Sequence, residues 1–291
     1  MGMLRLDGHV HSFKWNADPA DLLRKMEAGG VHGGSVISLP PPGSHDAMDT
    51  GSGRERLQEV LRVTHDAPDR LFPILWVHPD EPDVMSLVEE AAEKGICGFK
   101  MICSDYYVYE DRCMRLLEKI ASLGKPVMFH SGILWDGKVS SAMNKPINWE
   151  CCLQVPDLRF SLAHCSWPWT DECIALYGKF LNAYGMNDRL KTELFLDLTP
   201  GTPPIYRKEL LTRLHRVGYD IKNNLFFGTD GRTDDYCSAW TAEWIDRDDG
   251  IYDELELDEE TRSLTYSGNL MRFLGLSGEK VQHRTLSFDG R

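Results

Sequence analysis

The sequence predicts a single-domain α/β protein, a (β/α)8 TIM barrel spanning residues 1–291, and three features predict it. Eight short apolar runs of β type recur along the chain, their starts 26 to 38 residues apart. Segments with helical periodicity separate them, and one strand–helix unit takes roughly 30 residues. The Gly-rich first turn that usually marks an open dinucleotide-binding sheet is missing.

The candidate strands begin near Met3 (running to Val10), Gly33, Leu71, Cys97, Pro126, Arg159, Glu193 and Asn224. After the first, Asp18 precedes Pro19, an N-cap acid ahead of a proline at the first helical position. Leu22, Leu23 and Met26 then share an apolar face, and Gly29-Gly30 ends the helix. Segment 111–123 repeats the scheme with Met114, Leu116, Leu117, Ile120 and Leu123, and stops at Gly124 and Pro126. A closing helix is expected over 259–276. The loops at 40–53, 131–146, 165–170 and 231–250 are long or unusual, and in a barrel all four lie on the C-terminal face, where substrates bind. No linker or composition shift divides the chain.

Composition narrows the function. Thirty-two Lys and Arg stand against 45 Asp and Glu, a net charge of −13. That balance disfavours nucleic acid, whose phosphates need clustered cations, and anionic membrane surfaces. The apolar stretch 71–77, broken by Pro73, is far short of the roughly 20 residues of a membrane span. The N-terminus shows no secretory h-region or cleavage site, and the eight cysteines show no Cys-x-x-Cys spacing. A cytoplasmic protein with free thiols and a small-molecule substrate is expected, with homo-oligomerisation left open.

The chemistry gathers at strand ends. The first strand ends Asp7-Gly8-His9-Val10-His11, and residues i and i+2 of a strand point to one face. Two imidazoles so placed can chelate one cation, although alone the pair reads equally as two loop histidines. Strand five ends in His130, strand six in His164 and strand eight in Asp230. Four histidines and an aspartate at C-terminal strand ends are hard to explain as five separate accidents. Lys100 sits among apolar residues in strand four, where an unpaired lysine is costly. His32, His45, His65, His215 and His283 read as loop, helix or tail residues, while His78 is within reach of the mouth. Cys97, Cys103 and Cys165 read as small buried hydrophobes.

These pieces resemble the amidohydrolase superfamily, specifically the amidohydrolase-2 group that includes aminocarboxymuconate-semialdehyde decarboxylase. The matching motifs are Asp7-Gly8-His9-Val10-His11, Gly98-Phe99-Lys100, Pro126 to Gly132, Ala163-His164 and Phe227-Gly228-Thr229-Asp230, with a closing segment 268–276. The resemblance implies that His9, His11, His130 and Asp230 hold one divalent metal, Zn2+ first and Mn2+ as the alternative. It implies that Asp230 handles the proton of a metal-activated water and that His164 acts as a base or a polarising group. A binuclear site bridged by a carboxylated Lys100 is the alternative; one metal is favoured, with Lys100 paired structurally or facing substrate. The chain departs from the group's pattern at Cys165-Ser166-Trp167-Pro168-Trp169 and at Gly231-Arg232.

The leading expectation is a hydrolase of a small-molecule amide, ester or lactone, and the second is a decarboxylase of a small carboxylic acid. Lys100, Arg232 and Trp135 are the candidate substrate contacts, Arg232 for a carboxylate and Trp135 for a ring. Trp167, Trp169 and Trp240 either join that pocket or pack loops onto the rim. A non-catalytic metal-binding protein would lack a ligand, and none is missing.

Overall fold

The computed structural model describes residues 2–44, 50–187 and 189–277; His45 and His283 lie outside them. Nine strands form one parallel sheet in the order β8-β7-β6-β5-β4-β3-β2-β1-β9. They are β1 (Asp7–His11), β2 (Gly34–Ile37), β3 (Leu71–Trp76), β4 (Gly98–Met101), β5 (Val127–Phe129), β6 (Arg159–Leu162), β7 (Glu193–Asp197), β8 (Leu225–Phe226) and β9 (Gly231–Arg232). The helices are α1 (Pro19–Ala28), α2 (Gly53–Thr64), α3 (Val84–Glu93), α4 (Asp111–Ser122), α5 (Thr170–Met186), α6 (Arg207–Arg216), α7 (Ser238–Glu254), α8 (Glu259–Ser263) and α9 (Asn269–Phe273). Among the described residues no helix is long and apolar enough to cross a membrane. All eight cysteines are free, with Cys103 and Cys165 buried and Cys97 half-buried.

Local chemistry explains the elements. Asp18 caps α1 by accepting from the Ala20 and Asp21 amides, as its place before Pro19 predicts. Ser52 and Glu55 form a reciprocal capping box at the start of α2. After β5, Pro146 and its surroundings build two 3-10 segments, Ser141–Asn144 and Pro146–Gln154, in place of an α-helix. The closing helix is interrupted: a π turn over Leu264–Gly268 separates α8 from α9.

The sheet and its helices fit an α/β barrel, but with nine strands where eight were expected, and it is open: among the described residues no ladder joins the two end strands, β8 and β9. The extra strand arises because the chain leaves β8, kinks at Asp230 and pairs again with β1 as β9, Val10 opposite Gly231 and His11 opposite Arg232. Upstream, the Gly8 amide donates to the Phe227 carbonyl at 2.9 Å. A Cβ at Gly8 would lie 2.8 Å from that same carbonyl, so the close approach requires glycine.

Side-chain alternation sorts the strands into two layers. Val10, Val36, Leu75, Phe99, Phe129, Leu162 and Leu196 pack outward against the helices in one continuous cluster. Ile37, Ile74, Met128, Phe195 and Phe226 face inward, where Leu270 and Phe273 of α9 pack against them. Above this inner layer, the same parity turns His9, His11, Lys100, His130 and Asp197 toward the interior.

Candidate active site

His9 is the centre of the arrangement. Its Nδ1 lies 2.6 Å from Asp197 Oδ2, both side chains being fully buried. Its Nε2 lies 3.1 Å from His11 Nε2 and 3.1 Å from Lys100 Nζ. Asp230 Oδ1 stands 3.7 Å from His9 Nε2 and 3.5 Å from His11 Nε2. One donor atom from each of His9, His11 and Asp230 thus lies within 4.8 Å of the others, a spacing a single cation can bridge. Burial, reinforced by the Lys100 charge, holds the His9 imidazole far below its ordinary pKa, which favours the uncharged ring a metal ligand must be. Burial also lowers Lys100 to about 8, opposed by the Asp197 and Asp230 charges.

Two buried carboxylates support this centre, and neither was singled out from the sequence. Asp197, at the end of β7, accepts from the Thr199 amide at 2.8 Å and from the Thr199 hydroxyl. Burial pushes its carboxyl up, against the Thr199 hydrogen bonds and the His164 and Lys100 charges. Asp7, below His9 on β1, accepts from the His9 amide at 3.1 Å, the Thr229 amide at 2.9 Å, the Thr229 hydroxyl and the Tyr236 hydroxyl at 2.8 Å. Burial raises Asp7 to about 6 despite those bonds. Asp7 therefore ties β1 to the segment that carries Asp230. Asp230 itself takes φ +58°, a left-handed conformation that costs a non-glycine residue about 1 kcal/mol, held by Thr229 on one side and β9 on the other.

His164 occupies a second strained stretch. His164, Cys165 and Ser166 have φ of 60°, 44° and 58° in succession. His164 Nδ1 donates to the Thr199 carbonyl at 3.2 Å, which leaves Nε2 as the other reactive nitrogen. A Cβ on Gly201 would meet the His164 ring at 2.6 Å, so glycine lets the ring sit where it does. Gly201→Ala is expected to displace that ring and lower kcat/KM about 10²-fold, read by steady-state kinetics.

His130 stands beside the metal-capable group rather than in it. Its Nε2 donates to the Ile133 carbonyl at 3.2 Å, and its ring lies 5.0 Å from that of His164. Burial lowers its pKa well below the ordinary value, with the His164 and Lys100 charges adding to the effect.

These groups open into a cavity of about 630 Å³. His11, His130, His164 and Asp230 line it with Phe13, Trp76, Ile102, Ile133, Leu134 and Trp167. Trp135 also lines it and stands 79 % exposed at the rim. Arg232 lines it too, but its Nε and Nη2 reach Asp234 at 3.2 and 2.9 Å while its guanidinium covers Phe13. Lys100 does not line the cavity; it is sealed behind His9 at 1 % exposure. Trp240 braces the site instead of lining it, its indole N–H donating to the Thr229 carbonyl at 3.1 Å. Trp169 packs under Lys145. His78 pairs with Asp105 at 2.9 Å, away from the cavity.

The sequence model of the family Amidohydro_2, described as amidohydrolase, matches residues 6–276. The chain belongs to the amidohydrolase-2 family. It is therefore an enzyme, and the chain shares its fold with several solved structures. An amidohydrolase from Burkholderia multivorans with bound HEPES has 15 % identity over 94 % of this chain and 100 % of its own, at a TM-score of 0.63. A probable 2-pyrone-4,6-dicarboxylic acid hydrolase from Acinetobacter baumannii has 13 % identity over 94 % and 100 %, at 0.61. A 2,6-dihydroxybenzoate decarboxylase from Rhizobium has 13 % identity over 96 % and 100 %, also at 0.61. No curated protein matches the chain.

Proposed function

We propose that this member of the amidohydrolase-2 family is a metal-dependent hydrolase of a small-molecule amide, ester or lactone. Its single domain would be a (β/α)8 barrel whose eighth strand is split into β8 and β9. The observation that carries the reading is the convergence of His9 Nε2, His11 Nε2 and an Asp230 oxygen within 4.8 Å, beside a cavity of about 630 Å³. The donor set fits a divalent ion: two imidazoles and a carboxylate suit zinc first and manganese second, and His9 carries the outer carboxylate partner that ligating histidines usually have. His130, the further ligand the sequence suggested, stands outside this group with its Nε2 on the Ile133 carbonyl, and would have to release that bond to join it. A divalent ion held there supplies Lewis acidity, bringing the pKa of water toward 7 and polarising a carbonyl.

The chain's own residues do the rest. Asp230, whose side chain is 41 % exposed toward the cavity, accepts the proton of the attacking water and returns it to the leaving group. His164, fixed through Nδ1–H on the Thr199 carbonyl, presents Nε2 to the reacting groups. In its neutral form it orients water, and in its protonated form it donates to the developing oxyanion. Trp135, Trp167 and the apolar wall exclude water and accept a ring.

The decarboxylase reading ranks second. A fold neighbour is a decarboxylase, but the arginine a carboxylate substrate needs, Arg232, already has its fork turned to Asp234. The test is turnover of a panel of lactones, esters and amides in ¹⁸O-labelled water. One labelled oxygen in the product carboxylate supports hydrolysis; carbon dioxide release with no label in the organic product assigns the lyase instead. Lys100→Met is expected to leave metal content at about one equivalent per chain by elemental analysis. A fall from two equivalents would assign Lys100 as a bridging ligand.

A further inference from the structure

We propose that Asp197 is a positioning residue that fixes the tautomer and aim of His9. This rests on the metal reading above and concerns a residue outside the cavity. Asp197 is 0 % exposed and is not among the groups lining the cavity, so it cannot touch a substrate. Its two oxygens are divided between two tasks. Oδ1 accepts both the amide and the hydroxyl of Thr199, and Oδ2 faces His9 Nδ1 at 2.6 Å. A carboxylate oxygen only accepts, so Nδ1 carries the ring proton and Nε2 carries the lone pair.

A second contact agrees independently. The Lys100 Nζ is a donor, and its 3.1 Å approach to His9 Nε2 requires an accepting nitrogen there. His11 Nε2 and Asp230 Oδ1 lie 3.1 and 3.7 Å from the same nitrogen, so a cation held between them would take that lone pair over from Lys100. Thr199 closes the logic: its carbonyl also accepts from His164 Nδ1, so one residue after β7 aligns both imidazoles.

The division of oxygens makes the isosteric variant informative. In Asp197→Asn the Thr199 donors retain the amide oxygen, and the amide nitrogen turns to His9. An N–H facing Nδ1 makes that nitrogen the acceptor and moves the ring proton to Nε2, the wrong tautomer for a ligand. The experiment measures zinc affinity by chelator competition, together with the ¹⁵N signals of His9 in the metal-free protein. Asp197→Asn is expected to weaken zinc binding about 10- to 100-fold and to shift the proton from Nδ1 to Nε2. Unchanged affinity, or an unchanged Nδ1–H signal, overturns the inference. Wild-type protein that takes up no zinc overturns the metal reading, and the inference with it. Should Asp197→Asn not fold, Thr199→Ala carries the test: loosening Asp197 is expected to weaken zinc binding several-fold, and no change counts against the role.

Discussion

Asp230→Asn is expected to lower kcat/KM at least about 10³-fold while leaving the fold intact. The variant keeps the shape of the side chain but removes the charge and the proton acceptor. Asp230 is also the anionic member of the group it forms with His9 and His11, so bound metal should fall in parallel. The stability cost should be small, because the side chain is 41 % exposed and its kinked backbone is held by neighbours rather than by its carboxylate. Steady-state kinetics with elemental analysis checks this. Undiminished metal-dependent turnover in the variant removes Asp230 from the mechanism.

Asp248→Ala is the largest expected loss of stability, about 3–5 kcal/mol by urea denaturation. Arg207 and Asp248 are both fully buried, joined by paired bonds of 2.8 and 2.6 Å between α6 and α7. Arg207 also donates to the Leu198 carbonyl at 2.6 Å, the residue that follows Asp197. Removing the carboxylate strands a guanidinium in the interior, where its charge has no solvent. It also unfixes the guanidinium that holds the Leu198 carbonyl at the end of β7. The double variant Arg207→Met with Asp248→Leu should recover most of the loss, since an apolar pair leaves no buried charge behind. A single-variant loss under about 1 kcal/mol would mean that water reaches the pair.

The strand positions were legible because each strand is a short apolar run bounded by its own turn chemistry. The His9-x-His11 pair, Lys100, His130 and Asp230 were legible because strand parity and strand ends are local properties. Asp197 was not. Alone at the end of Glu193–Asp197 it resembles a turn acid, and its partner His9 lies 188 residues away. Parity with inward-facing Phe195 was the available signal. The two-residue β9 was hidden for the same reason, as only pairing with β1 makes it a strand. Lys100 and Arg232 could be named but not assigned partners: the sequence does not say that His9 covers the first, although Asp234 stood two residues from the second.

The proposed site holds one divalent metal on His9, His11 and Asp230, and its most direct test is the metal content of the purified chain beside that of a His9→Ala/His11→Ala double variant of equal melting temperature. About one equivalent in the wild type and essentially none in the double variant is the predicted result. A wild-type chain without metal after incubation with zinc and manganese, or equal metal in both proteins, would contradict it.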